Sequence, residues 1–206
     1  MNIKQAEYVI FDVETTGLTP EGGDRIVEIA AIRFKNQKIV EHFESLVNPQ
    51  RDIPEEAQRL HGISVDMVKD APSREEALTR MTDFINGACL VGHNIKFDLD
   101  FLCYELSLLG RKLREETPAI DTLKMAKELI PHLRSYSLPS LARGLGVLVT
   151  DSHRALADVQ TTAAVFNSLL DTAFETRVES FKELYKKFGI VKPNFKIEQV
   201  NQEMLF

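Results

Sequence analysis

The sequence predicts an α/β layer architecture, a mixed five-stranded sheet that is antiparallel first and parallel later and is flanked by helices. Three observations carry this expectation. Residues 1–47 hold three strand-like runs separated by turn-rich segments. The stretch from Leu90 to Ile130 alternates short apolar runs with helical ones, and Arg154 to Ala173 carries an apolar stripe at helical spacing. At 206 residues the chain suits one domain with a core large enough to fold alone.

The elements follow in order. Tyr8 to Phe11 reads as a buried strand, Thr15 to Asp24 is turn-rich, and Ile26–Phe34 and Ile39–Val47 alternate like strands around the polar turn Lys35-Asn36-Gln37-Lys38, which makes a three-strand meander. Pro54 opens a short helix leading to His61-Gly62-Ile63. Ser73 to Asn86 places Ala77, Leu78, Met81, Phe84 and Ile85 at helical spacing behind Ser73 as cap, with Glu76 three residues on. Leu90-Val91 is a short buried strand. Phe97 to Leu109 is helical, with Phe101, Leu102, Glu105 and Leu108 in register and Gly110 ending it. Ala119-Ile120 leads into a helix from Thr122 to Ile130 stopped by Pro131, and Ser137 to Gly144 is a short helix. The long helix buries Ala155, Val159, Thr162, Ala163, Phe166, Leu169 and Leu170.

Residues 1–175 are expected to form the domain. Residues 176–189 add an amphipathic helix, spanning 177–188, with Val178, Phe181, Tyr185 and Phe188 on one side. Residues 190–206 have too few clustered apolar side chains to pack independently and read as a flexible tail.

Composition narrows the class of protein. No apolar run approaches the roughly 20 residues of a membrane span, and the N-terminus lacks a basic-then-apolar secretion pattern, so a cytoplasmic protein with no membrane partner is expected. Cys89 and Cys103 fit no zinc spacing and read as free buried thiols in a reducing compartment. The formal net charge of −6 argues at first against nucleic acid as a partner. Four carboxylates, however, fall at candidate metal positions, and two divalent cations would cancel all four.

The chemistry begins at Asp12 and Glu14. Side chains alternate along a strand, so these two project to one face while Phe11 and Val13 project to the other. Two carboxylates on one face of a core strand need a cation, because isolated buried charges are costly unless paired or metal-bound. Two further segments carry acids. In Gly92-His93-Asn94-Ile95-Lys96-Phe97-Asp98, Asp98 enters the first turn of a helix, where alone it reads as a residue favoured by the helix dipole. In His153-Arg154-Ala155-Leu156-Ala157-Asp158, His153 precedes the long helix and Asp158 lies over one turn inside it. Asp121, followed by Thr122 and Leu123, reads as a helix cap.

In this order, the three motifs resemble those of the DEDDh (DnaQ-like) 3′–5′ exonucleases, and within them the epsilon-type proofreading exonucleases of bacterial DNA polymerase III. The resemblance covers Tyr8 to about Ala173. It implies a ribonuclease-H-like fold and two Mg²⁺ or Mn²⁺ ions held by Asp12, Glu14, Asp98 and Asp158, with His153 as general base. It also implies that the substrate is a single-stranded or frayed DNA 3′ end, contacted by Thr15, Thr16 and Leu18, by Glu56 and His61 of the Glu-Ala-x-x-x-His-Gly-Ile pattern, and by Asn94. On chemistry alone, His61 reads equally as a surface histidine and Asn94 as a turn residue. The C-terminal Gln202, Met204, Leu205 and Phe206 resemble the short peptide by which replication proteins bind the sliding clamp, which makes that clamp and a replicative DNA polymerase the expected partners. RNA trimming is the alternative within the same chemistry, and a catalytically silent nucleic-acid scaffold is the alternative of another class.

Overall fold

In the computed structural model, residues 1–148 and 154–195 are described. A polar turn with positive φ at Asn36 (50°) and Gln37 (60°), as a two-residue primed hairpin needs, joins β2 (Ile26–Lys35) to β3 (Lys38–Leu46). β1 (Glu7–Thr15) pairs antiparallel with β2 and parallel with β4 (Cys89–Gly92), and β5 (Ala119–Asp121) continues the parallel half. A further strand, β6 (Gly189–Ile190), closes the edge against β5, antiparallel, giving the order β3-β2-β1-β4-β5-β6.

The sheet therefore has six strands, not the five expected. The signal for β6 is only two residues long and follows a helix without a turn motif. Gly189 is required there because a Cβ would meet the Tyr185 carbonyl oxygen at 2.4 Å. Beyond it, Phe195 stacks edge-on against Tyr104 with centroids 5.3 Å apart, so residues 190–195 lie against the domain. Residues 196–206, which include the candidate clamp peptide Gln202, Met204, Leu205 and Phe206, lie outside the described residues.

The helices divide between the two faces of the sheet. After β3 come α1 (Glu55–His61), the short α2 (Val65–Val68) and α3 (Arg74–Ile85), and α4 (Lys96–Leu108) follows β4. α3 and α4 cover Val9, Phe11, Val13, Ile29 and Leu90. Ser73 caps α3 through the Glu76 amide, as its sequence predicts. In α4 the buried stripe runs through Leu99, Leu102 and Leu106, and Leu108 is exposed because it lies about 200° around the helix from Leu106.

On the opposite face, α5 (Thr122–Leu129), α6 (Leu138–Gly144), α7 (Ala155–Glu175) and α8 (Phe181–Phe188) cover Tyr8, Ile10, Ala30, Ile32 and Val91. The stripe of α7 is buried as its spacing predicts. α8 starts at Phe181 rather than 177, because a reciprocal capping box between Ser180 and Glu183 fixes its first turn. Its buried side chains are Leu184 and Phe188, while Tyr185 is exposed. Among the described residues no helix is long and apolar enough to cross a membrane. Both cysteines are buried and free.

Phe166 of α7 ties two strands together, with Tyr8 edge-on at 4.9 Å and Phe34 at 6.1 Å between centroids. Phe166→Ala is expected to cost about 3–5 kcal/mol, and Ser180→Ala, which removes the α8 cap, about 1 kcal/mol. Urea unfolding of the two variants checks the ranking.

Candidate active site

β4 accompanies β1 only from Tyr8 to Ile10, so Asp12, Val13 and Glu14 run past the carboxyl end of the parallel neighbour. That leaves a crevice at the end of the parallel strands, where α/β folds place ligands. The Val13 amide faces this gap without a strand partner, and Asp98 fills it: Val13 N–H donates to Oδ1 at 3.0 Å. Asp98 is buried in the first turn of α4. Gly92 allows the approach, since a Cβ there would meet Ile95 at 2.8 Å and the Phe11 carbonyl at 3.3 Å.

Asp12 and Glu14 share the face of the sheet on which α7 packs, and α7 delivers Asp158 to them. One carboxylate oxygen each from Asp12, Glu14 and Asp158 lies within 4.8 Å of the others, an arrangement that can hold a metal ion. These residues line a cavity of about 230 Å³ with Val13, Leu60, His93, Asn94, Phe97 and Asp98. Among the described residues, a separate cavity of about 280 Å³ lies between α4 and residues 190–195 and is lined by none of the four acids.

Electrostatics mark the crowding. Burial pushes the Glu14 carboxyl up to about 8, with Asp158, Glu28 and Asp98 adding repulsion and Arg154 opposing. Burial also pushes Asp98 up to about 8, against the bonds from backbone amides. Asp12 is raised well above the ordinary carboxylate range by burial first and then by Asp98, Glu14, Asp158 and Glu28. Such a set of hard oxygen donors, strained by mutual repulsion, fits divalent cations.

The remaining predicted site residues are placed unevenly. Asn94 borders the cavity with φ of 59°, and its amide donates to Asp121 Oδ1 at 3.0 Å. Asp121 also accepts from the Leu123 amide at 2.8 Å, so it caps α5 and anchors the Asn94 loop at once. Thr15 and Thr16 are buried. The Thr15 hydroxyl donates to the Gly17 carbonyl at 2.6 Å, and the Thr16 hydroxyl accepts from the Arg25 amide at 3.0 Å and faces Asp24 at 3.3 Å. Leu18 is 79% exposed. Glu56 is exposed beside Arg59 and does not line the cavity; its neighbour Leu60 does.

His61 is not a surface histidine. It is buried, its Nδ1 accepts from the Ile63 amide at 3.0 Å, and its Nε2 has no hydrogen-bond partner among the described residues. Burial holds its pKa below the ordinary histidine value; the Thr15 backbone partly offsets this without reaching hydrogen-bond geometry. The ring is therefore neutral with its proton assigned to Nε2. His153 lies outside the described residues.

Sequence reasoning missed Glu28. It is fully buried on β2, directly across from Glu14, and accepts from Arg154 Nε at 2.9 Å and from the Ala155 amide at 3.0 Å. The signal was an acid inside the apolar run Ile26–Phe34 at the parity of Ala30 and Ile32, whose face is core. His93 was also passed over; its ring bridges Thr122 Oγ1 at 3.0 Å and the Tyr136 carbonyl at 2.8 Å, tying the cavity rim to α5 and the following loop.

A family model described as Exonuclease (RNase_T) matches residues 9–166. The chain belongs to this exonuclease family. It is 41% identical over 180 residues to the DNA polymerase III PolC-type of Caldanaerobacter subterraneus subsp. tengcongensis, covering 87% of this chain and 13% of that protein. It is also 41% identical over 167 residues to a DNA polymerase III subunit epsilon-like protein of Rhodobacter capsulatus, covering 79% of this chain and 23% of the relative. The chain thus spans less than a quarter of the length of these relatives. Among solved structures, Exonuclease X in complex with 5′ overhanging duplex DNA matches with a TM-score of 0.68 and 30% identity, over 87% of this chain and 98% of that one. E. coli Exonuclease I in complex with a dT13 oligonucleotide shares the fold, with a TM-score of 0.74 at 20% identity over 84% of this chain and 43% of that one. The six-strand mixed sheet with flanking helices is accordingly the ribonuclease-H-like fold of these exonucleases.

Glu14 and Asp98 bind protons more tightly folded, near 8, than at their ordinary 4.5 and 3.8, so the folded chain holds the extra protons across that window. Stability of EDTA-treated protein is expected to fall as pH rises from about 4.5 to about 8 and then level off. Saturating Mn²⁺ is expected to flatten the slope. Thermal melts at five pH values with and without Mn²⁺ check both, and an EDTA series that rises with pH contradicts the assignment.

Proposed function

We propose that the chain is a metal-dependent 3′–5′ exonuclease that releases nucleoside 5′-monophosphates from DNA 3′ ends and proofreads for a replicative DNA polymerase in the cytoplasm. The observation that carries this reading is the convergence of Asp12, Glu14 and Asp158 within 4.8 Å in a chain of the exonuclease family. DNA is favoured as substrate by the polymerase relatives and by the 30% identity to an exonuclease whose structure holds duplex DNA with an overhang.

Asp12, Glu14, Asp158 and Asp98 would hold two divalent cations, Mg²⁺ or Mn²⁺. When bound, such ions stabilise charge on the scissile phosphate and lower the pKa of water enough to make it a nucleophile near neutral pH. Asp98 also fixes the end of β1 through the Val13 amide, so it serves the strand as well as the site. His153 takes the proton from the attacking water, a task suited to an imidazole with an ordinary pKa of about 6.5. The new O–P bond forms as the bond to the 3′ oxygen breaks, solvent water protonates that oxygen on the shortened strand, and the terminal nucleotide leaves as its 5′-monophosphate. Around the acids, the apolar Leu60 and Phe97 border the cavity and the exposed Leu18 follows β1, offering surface to a base or sugar. The peptide Gln202, Met204, Leu205 and Phe206 engages the sliding clamp.

His153→Ala is expected to lower turnover by roughly 10²–10⁴ while metal binding is largely kept. Asp12→Ala and Asp158→Ala are expected to lose metal and activity together. Digestion of matched, mismatched and RNA 3′ ends under Mn²⁺ with an EDTA control checks these outcomes. Wild-type rates in His153→Ala at saturating metal overturn the base assignment, and preference for RNA ends overturns the substrate.

A further inference from the structure

We propose that Glu28 is a positioning residue that registers Asp158 against Asp12 and Glu14, with Arg154 as its counterion. The inference deepens the metal-site reading above and rests on it.

A chain of bonds runs from β2 to the first turn of α7. Glu14 on β1 stands directly opposite Glu28 on β2. The Glu28 carboxylate, fully buried, receives Arg154 Nε on both oxygens, at 2.9 and 3.1 Å, and Arg154 Nη2 on Oε1. Its Oε2 also accepts the Ala155 amide at 3.0 Å. The Arg154 carbonyl in turn accepts the Asp158 amide at 3.1 Å, the opening bond of α7. One side chain therefore links the strand beside the acids to the helix turn that carries the third acid.

α7 needs such an anchor. Arg154 stands at its N-cap and supplies no side-chain cap, and the first amide of the helix, that of Ala155, is met from another element, by an anion at the positive end of the helix dipole. The two-pronged guanidinium grip adds direction, because it fixes the plane of the carboxylate as well as its distance. Asp158 approaches carboxylates of like charge, and a helix end free to swing would move away from them when no cation is present. Glu28 holds the turn in place before metal arrives, the role that residues behind the ligands play in tuned metal sites.

A purely structural salt bridge would predict the same bonds, so the test separates the two. Glu28→Gln keeps an acceptor for the Ala155 amide and loses the charge. Glu28→Met with Arg154→Leu replaces the buried pair by apolar side chains, a change that often leaves stability intact. Mn²⁺ alone is titrated into the EDTA-stripped full chain by calorimetry, and thermal midpoints are recorded in parallel. Glu28→Gln is expected to weaken Mn²⁺ binding by about 10–100-fold. The apolar pair is expected to match the wild-type thermal midpoint without regaining the Mn²⁺ affinity. Wild-type affinity in either variant overturns the proposal and leaves Glu28 with a folding role only. Digestion of a DNA 3′ end by the unmodified chain is run alongside; its failure would sink the exonuclease reading, while the Mn²⁺ affinities would still decide the role of Glu28.

Discussion

Repulsion among the acids at the end of β1 is the constraint around which the rest of this structure is arranged. Asp12, Glu14 and Asp158 crowd within 4.8 Å, Asp98 borders the same cavity, and Glu28 lies one strand away. Left to themselves such groups would separate or take up protons, and burial first, then mutual repulsion, raises the proton affinities of Asp12 and Glu14. The fold prevents separation by mounting each acid on a rigid element whose position is set by apolar packing elsewhere. β1 is held between β2 and β4 and is covered on both faces. α7 is seated by Phe166, Leu169 and Leu170, well away from the charges.

This division of labour explains why the neutralising bonds are so specific. Asp98 accepts the Val13 amide of β1, and Asp121 accepts one amide from the Asn94 loop and one from the first turn of α5. Glu28 accepts the first amide of α7 and the Arg154 guanidinium. In each case a carboxylate is stabilised by donors that the fold would otherwise leave unsatisfied in its interior, so the charge and the orphaned amide offset each other. The triad differs. The pKa values of Asp12 and Glu14 are raised by burial first and then by the neighbouring carboxylates, a load that a divalent cation seated among them would relieve.

Much of this was legible in the sequence, and the illegible parts share a cause. The Asp12/Glu14 pair shows in the period-two pattern of a strand, and the α7 stripe in the helical spacing of Val159, Thr162, Phe166 and Leu170, because both signals are local and repeated. β6 is two residues long and exists through pairing with β5, a partner about 70 positions away, so no local period reveals it. Val178, Phe181, Tyr185 and Phe188 share a helical stripe in sequence, but the Ser180–Glu183 box starts the helix too late to include Val178, and the adjacent Leu184 is the residue that turns inward. Glu28 was concealed differently. A lone acid in an apolar strand looks like an exposed position, and only the β1–β2 register together with the distant Arg154 shows it to be inward and paired.

The acidic crevice also reconciles a net charge of −6 with the polyanionic substrate proposed above. In the absence of cations, a phosphate would meet the clustered carboxylates of Asp12, Glu14 and Asp158 in the proposed binding crevice. With divalent ions seated among the carboxylates the local field would be neutralised or reversed. On the proposed function, binding of nucleic acid would thereby be tied to loading of metal. The apolar rim formed by Leu60 and Phe97 would add to this selectivity, since a stacked base needs no charge to be held, and an unstacked terminal nucleotide presents its face most readily. A frayed 3′ end offers both features together, a phosphate for the metal centre and an unpaired base for the rim. A firmly paired end must first give up the stacking that holds it in the duplex. Discrimination against a correctly paired terminus can therefore arise from the cost of fraying alone, without any side chain that reads the identity of the base.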